Sequence, residues 1–181
     1  MNIACVQMHC RFGEVDTNLD NATALIESVE ANLYVLPELF NTGYLFQSEH
    51  EINRLVEPAN GKTAEVLTQV AKARQAWIVA GFAEKSNNAI YNSAMLVGPQ
   101  GLIDVYRKIH LFDSEKLWFT PGDTPFSVID MGSAKLGLMI CFDWIFPESM
   151  RSLALMGADI VCHPSNLVMP YCQKAMVTRC L

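Results

Sequence analysis

Three side chains could act together in nucleophilic catalysis, although none of them adjoins another in the sequence. Cys141 is a potential nucleophile, Glu38 a potential proton acceptor and Lys108 a fixed positive charge. Taken singly, each has a plainer interpretation, because cysteines in apolar strands are usually inert and charged residues after strands are usually solvated. The three lie 70 and 33 residues apart (108 − 38 and 141 − 108), so only a tertiary fold could bring them together.

The stretch around Cys141 predicts a strand, a turn and a helix. A nearly continuous apolar run over 134–140 indicates a strand that is buried on both faces. Pro147 suits the first position of the following helix and Gly157 its end, and 159–163 predicts the next strand. Cys141 is thus expected at the carboxyl edge of the sheet, where α/β sheets bind ligands. The helix N-terminus and a nearby ammonium would both favour its thiolate.

The rest of the chain alternates strands and helices, which predicts one α/β domain over 1–181 with a mixed sheet. Turn residues at 98–101 predict a hairpin, and 111–124 is expected to be a long irregular connection. A helix begins near Lys174 and the chain stops inside it, so we expect further strands or another chain to complete the core. The predicted strands are 2–8, 33–36, 77–82, 89–97, 102–106 and 126–131, and the predicted helices are 16–32, capped by Asp16 or Thr17, and 61–74.

Composition limits the classes of partner. The net charge of −6 argues against binding to a nucleic-acid backbone or an anionic membrane. The sequence contains neither an apolar run of membrane-spanning length nor the start typical of a signal peptide. These observations predict a cytoplasmic protein with no membrane partner.

The six cysteines are scattered along the chain, and without an export signal they argue against disulfides. The spacing of Cys162, His163 and Cys172 matches none of the usual zinc patterns, so metal binding is only the alternative to a core role. We expect Cys5, Cys10 and Cys162 to act as small core hydrophobes. The others are Cys141, Cys172 and Cys180.

Three segments in this order resemble the signature blocks of the nitrilase superfamily, the carbon–nitrogen hydrolases. They are Pro37-Glu-Leu-Phe40, Tyr106-Arg-Lys-Ile-His-Leu-Phe112 and Cys141-Phe-Asp-Trp-Ile-Phe-Pro-Glu148. The resemblance implies an α-β-β-α four-layer sandwich, here without the C-terminal strands and arm, that works without a cofactor or metal. It also implies that Glu38 is the general base, Lys108 the cationic stabiliser and Cys141 the nucleophile. Glu115 matches a further acidic position that helps to hold the lysine.

The implied reaction converts a small nitrile or amide into a carboxylic acid through a cysteine thioester. Placement beside the blocks makes six residues candidates for lining the substrate pocket: Tyr44, Asn92, Phe112, Phe142, Trp144 and Asn166. The resemblance further implies a homodimer, with Arg151, Leu155 and Val177 at or near the interface.

Two other functions remain open from the sequence. In a cysteine–histidine hydrolase, His110 or His163 would be the base, because histidine is the commoner partner of a thiol. A catalytically silent binding domain is the second alternative. Residues 1–181 alone are expected to be poorly soluble or inactive, and the triad does not separate nitrile, amide and carbamoyl substrates.

Overall fold

Two β-sheets pack face to face and carry helices on their outer faces. The computed structural model describes residues 1–169 and 171–179. The sandwich confirms the predicted mixed α/β fold. Three cores hold the layers together, and the one between the sheets contains residues from both of them, including Leu96 and Leu136.

The larger sheet has five strands in sequence order. The first two pairings are parallel, and the next two are antiparallel, so the sheet is mixed as predicted. The two antiparallel pairings form successive hairpins, of which the second turns at the predicted position. The strands are β1 Ile3–Cys5, β2 Leu33–Val35, β3 Trp77–Ser86, β4 Ala89–Gly98 and β5 Gly101–Arg107.

Helices α1 (Val15–Glu27) and α3 (Lys62–Arg74) cover the outer face of this sheet. Their apolar stripes are buried, with Ile26 and Leu67 inaccessible to solvent. The predicted capping of α1 by Asp16 or Thr17 is wrong, because the helix starts earlier, after Glu14, and shows no side-chain cap.

The smaller sheet consists of β6 (Val128–Asp130), β7 (Lys135–Leu138) and β8 (Ile160–Cys162), with β7 in the centre. It pairs antiparallel with β6 and parallel with β8. Helix α4 (Pro147–Leu155) packs against this sheet through its buried Leu153, whose side chain lies close to Gly137. These elements provide the second half of the sandwich and carry Cys141.

Two elements were not predicted from the sequence. Helix α2 (Glu49–Leu55) is capped by Ser48, whose hydroxyl accepts a hydrogen bond from the Glu51 amide at 3.2 Å. The Ser-x-x-Glu pattern at 48–51 was a usable signal for this helix. A short 3₁₀ helix, Asp113–Leu117, lies within the connection that was expected to be irregular.

The cysteine predictions hold only in part. Cys162 is buried, as expected, but Cys5 is exposed and Cys10 is half-buried. Alternation along the edge strand β1 directs Ala4 towards the helices, so Ile3 and Cys5 face the other way and remain accessible.

Helix α5 (Tyr171–Arg179) ends the described chain. The side chain of Val177, and Cys180, lie outside the described residues. No helix in the described ranges is long and apolar enough to cross a membrane.

Candidate active site

Glu38, Lys108 and Glu115 meet in one buried cluster beside Cys141. Glu38 follows β2, Lys108 follows β5, and Cys141 follows β7, so both sheets contribute. Lys108 Nζ lies 2.7 Å from Glu38 Oε1 and 2.7 Å from Glu115 Oε1. Glu38 and Lys108 are almost inaccessible to solvent. The fold therefore unites residues that the sequence separates widely.

The backbone bends sharply where two of these residues are positioned. Leu39, directly after Glu38, has φ = 49°, and Cys141 itself has φ = 36°. Positive φ is uncommon for residues other than glycine and often marks functional sites. Strand β3 approaches the Glu38 backbone so closely at Gly81 that an added Cβ would lie 2.5 Å from Glu38 Cα. Glycine at this position allows the Glu38 turn to rest on the sheet.

Hydrogen bonds fix the Glu38 carboxylate on both oxygens. Oε1 accepts from Asn92 Nδ2 at 2.8 Å as well as from Lys108. Oε2 accepts from the Asn166 amide at 3.1 Å, and Asn166 Nδ2 also donates to the Glu38 carbonyl at 2.8 Å. Asn92 thus belongs to the charged cluster, where it also lies 3.5 Å from Glu115 Oε1.

Glu115 completes the cluster and is itself held by two donors. Its Oε1 accepts from the Tyr44 hydroxyl at 2.5 Å, and its Oε2 accepts from the Phe112 amide at 3.0 Å. Burial raises the pKa of Glu115, although the Lys108 charge opposes this shift. Burial alone would lower the pKa of Lys108, but the negative charges around it outweigh burial and raise it. Lys108 is therefore a permanent cation.

Burial favours the protonated form of the Cys141 thiol. Burial is the main cause that raises its pKa, the charge of Glu38 adds to this, and the Lys108 ammonium opposes it. Helix α4 begins only at Pro147, so Cys141 lies in a 3₁₀ turn rather than at a helix N-terminus. Since Sγ also lies 3.8 Å from the Asn166 carbonyl oxygen, ionisation at neutral pH requires a base.

A buried carboxylate that the sequence analysis did not single out anchors the Cys141 turn. Asp143 accepts hydrogen bonds from the Ile140 amide at 2.9 Å and from the Tyr106 hydroxyl at 2.8 Å. It also accepts from the His110 amide at 3.1 Å. Asp143 thereby joins the segment after β5, which holds Lys108, to the turn that holds Cys141. Its position within the third signature block was the only signal for it.

Both histidines considered as alternative bases have hydrogen-bond partners other than the sulfur. His110 Nδ1 lies 2.8 Å from Asp143 Oδ1, and its ring stacks on Phe146 with centroids 3.8 Å apart. His163 Nε2 lies 2.8 Å from the carbonyl oxygen of Cys141, and burial lowers the pKa of this histidine. Since a carbonyl oxygen only accepts, the His163 ring donates from Nε2 and supports the turn.

The predicted pocket residues divide into two groups. Tyr44 and Asn166 line a cavity of about 250 Å³ that reaches Glu38. Phe112, Phe142 and Trp144 are half-buried on the side of the Cys141 turn, where the first two rings pack 5.0 Å apart. These three residues do not line this cavity, and neither does Cys141. Their role in the substrate pocket stays a prediction.

Another part of the cavity lining comes from the segment after β1. This wall contains Met8, Cys10 and Phe12. It lies outside all three signature blocks, and the sequence carries no signal for its role.

Among the residues that the structure describes, no group of three His, Cys, Asp or Glu side chains could hold a metal ion.

Comparison with known proteins identifies the family. The family model described as carbon-nitrogen hydrolase matches residues 2–179. The chain belongs to the carbon-nitrogen hydrolase family. A nitrilase of Pyrococcus abyssi is 50% identical over all of this chain and 71% of its own length. An (R)-stereoselective amidase of Pseudomonas is 35% identical, over 94% of this chain and 62% of its own.

A solved structure supports the fold assignment. The crystal structure of a carbon-nitrogen hydrolase from Helicobacter pylori G27 matches with a TM-score of 0.84 and 30% identity, covering 99% of this chain and 65% of that protein. The predicted family and fold are thus confirmed, and hydrolysis of carbon–nitrogen bonds agrees with the family. The chain spans from just under two thirds to 71% of the length of these three proteins.

Proposed function

We propose that this protein hydrolyses non-peptide carbon–nitrogen bonds in small amides or nitriles through a thioester on Cys141. The observation that carries the proposal is the buried ion pair between Lys108 and Glu38 beside the buried thiol of Cys141. A neutral thiol needs a proton acceptor, and Glu38 is the carboxylate whose charge acts on the sulfur. Lys108 supplies the positive charge that a developing anion requires.

In the proposed reaction on an amide, Glu38 takes the thiol proton as the sulfur bonds to the amide carbon. Lys108 and the backbone N–H of Phe142 stabilise the negative charge that forms on the substrate oxygen. The Cys141 N–H cannot serve there because it donates to the Pro164 carbonyl at 3.0 Å. The C–N bond then breaks, the leaving amine takes the proton, and a thioester remains.

Water completes the cycle. Glu38 removes a proton from a water molecule as its oxygen attacks the thioester carbon, and the C–S bond breaks. The carboxylic acid leaves and the thiol is restored. In this scheme Glu115 and Tyr44 keep Lys108 oriented by their hydrogen bonds. No step requires a cofactor or metal.

Intact-mass spectrometry after incubation with a panel of amides and nitriles tests the reaction. We expect an acyl adduct or a released acid with the parent protein and neither with Cys141→Ala. Cys162→Ala is the matched control, because it removes another buried thiol while it leaves the cluster unchanged. Equal adduct formation in the parent and in Cys141→Ala would refute the proposed nucleophile. Ligand binding without turnover would instead support the silent binding domain.

We also propose a homodimer formed through α4. Leu155 and Met156 are 77% and 49% exposed at the end of this helix, and Arg151 is exposed beside them. Exposed apolar side chains of this kind are typical of an interface. Light scattering of the parent protein and of Leu155→Glu tests the homodimer. We expect the parent to be a dimer and Leu155→Glu to be a monomer. A monomeric parent would contradict the proposal. The cytoplasmic location stays a prediction.

A further inference from the structure

The cavity beside Glu38 has two chemically different sides. One side consists of Glu38, Tyr44 and Asn166, which belong to the charged cluster or contact it. The other side, the segment Met8–Phe12, presents a thioether, an imidazole, a thiol and an aromatic ring. Polar atoms that could hold the reacting group thus share the cavity with a largely apolar wall, the usual composition of a small-molecule site.

The charges on the lining exclude some substrates. In the described part of the chain, the lining carries one carboxylate, Glu38, and one imidazole, His9, but no lysine or arginine. Glu38 is already paired with Lys108 at 2.7 Å. An anionic or dicationic acyl chain would therefore lose its hydration in this cavity without gaining a matching charge. The lining favours uncharged acyl chains.

The size of the cavity limits the length of the chain. Its volume of about 250 Å³ is below the range of roughly 300–1,000 Å³ that is typical of sites for drug-sized ligands. In a primary amide or nitrile the acyl chain is the only part large enough to fill this space, because the other product is ammonia.

We infer that the segment Met8–Phe12 is the wall against which the acyl chain of the substrate packs, and that Cys10 sets the longest uncharged chain that fits. This inference rests on the proposed hydrolysis. Cys10 is half-buried at the centre of the segment, between Met8 and Phe12. Burial raises its pKa to about 11, so at neutral pH it presents a neutral thiol to the cavity.

Changes of size at Cys10 test the wall through chain-length preference. We measure kcat/KM for acetamide, butyramide and hexanamide with the parent, Cys10→Leu and Cys10→Ala. Cys10→Leu should lower the hexanamide value at least about tenfold, the range for an added methylene in an apolar pocket, and change acetamide little. Cys10→Ala should shift the preference towards hexanamide. Cys5→Leu, on the exposed edge of β1, is the control and should keep the parent preference.

A labelling experiment tests the wall without turnover. In Cys141→Ala, we measure alkylation of Cys10 and of Cys5 by iodoacetamide, with and without butyramide. We expect butyramide to slow alkylation at Cys10 at least severalfold and to leave Cys5 unchanged. The inference would be overturned if Cys10 were alkylated at the same rate with and without butyramide. It would also be overturned if the Cys10 substitutions changed kcat/KM for all three amides by the same factor. Protection at Cys10 in a protein that hydrolyses no amide or nitrile would refute the proposed function and leave the wall standing.

Discussion

Lys108 Nζ and Glu38 Oε1 form a buried ion pair at 2.7 Å, and the same nitrogen lies equally close to Glu115 Oε1. One ammonium therefore serves two carboxylates in a region from which water is excluded. Such a cluster is stable only while each charge keeps its partner, because an unpaired buried charge is costly. The stability of the protein and its proposed chemistry consequently depend on the same nitrogen.

Replacement of Lys108 by Met should destabilise the protein strongly. The substitution keeps a long apolar stem but leaves Glu38 and Glu115 facing each other without a cation. We expect the free energy of unfolding in urea to fall by about 3–5 kcal/mol. The double variant Lys108→Met with Glu38→Gln should recover part of this loss and remain inactive. A single variant as stable as the parent would show that the cluster is not held by charge.

Loss of the Glu38 carboxylate should slow acylation more than loss of the Glu115 carboxylate. Glu38→Gln removes the proposed base without changing shape, so the acylation rate should fall by roughly 10²–10⁴-fold. Glu115→Gln keeps an oxygen for Lys108 and should cost less. Glu57→Gln is the control, because Glu57 accepts from the Thr63 amide at 2.9 Å in a separate network. Rapid-quench measurement of the adduct compares the three, and an unimpaired Glu38→Gln would rule out this base.

The convergence of Glu38, Lys108 and Cys141 could be predicted from the sequence, whereas their catalytic roles stay predictions. Each of these residues lies just after a predicted strand, so its position in the sandwich follows from the order of elements. Most of the longer elements, such as α3 and β4, were also predictable from apolar spacing. Helix α2 was missed because it is short and polar, with one fully buried apolar residue, Ile52.

The walls of the site could not be predicted in the same way. Cys10 belongs to the cavity only because the fold brings the segment after β1 to the same cavity as Glu38, a long-range consequence of packing. Phe142 stands next to the nucleophile in sequence, yet the 3₁₀ turn directs its ring towards Phe112. The protonation state of Cys141 also depends on burial, which no local pattern reports. Sequence adjacency thus identified the charged groups but not the surfaces around them.

Asp143 should act as a positioning residue for Cys141 and Lys108. Asp143→Asn keeps the volume but weakens the bonds to the Tyr106 hydroxyl and the His110 ring. We expect kcat to fall at least about tenfold with KM little changed, because the turn would no longer hold the sulfur in line. Tyr106→Phe removes one of these bonds and should show a smaller loss of the same kind. If Asp143 had a purely structural role, its substitution would lower the free energy of unfolding without lowering kcat at a nearly constant KM.

His163 should make the protein sensitive to mild acid. Burial lowers the pKa of His163 below the ordinary value of about 6.5. In mild acid the unfolded chain therefore binds a proton at this histidine that the native chain does not bind, and this lowers the free energy of unfolding. Its contribution to stability is complete above about pH 6.5 and is lost progressively as the pH falls towards the native pKa. Urea unfolding at a series of pH values should show a shallower acid loss in His163→Gln than in the parent. Parallel curves for the two proteins would contradict this assignment.

Cys162 should lower the free energy of unfolding as the pH rises into the alkaline range. Burial raises the pKa of this thiol to about 12, whereas an unfolded cysteine titrates near about 8.5. Between these values the unfolded chain releases a proton that the native chain keeps, so the free energy of unfolding falls as the pH rises. One such thiol contributes at most about 1.4 kcal/mol per pH unit. Cys162→Ala should therefore show a shallower alkaline decline.

The control for this slope is a substitution that removes packing without removing a thiol. Leu138→Ala is suited to it, because Leu138 is buried and pairs with Cys162 across β7 and β8. It should lower the free energy of unfolding by about 2–5 kcal/mol at every pH and leave the alkaline slope of the parent unchanged. A shallower slope in Leu138→Ala, or an unchanged slope in Cys162→Ala, would show that the decline arises from groups other than this buried thiol.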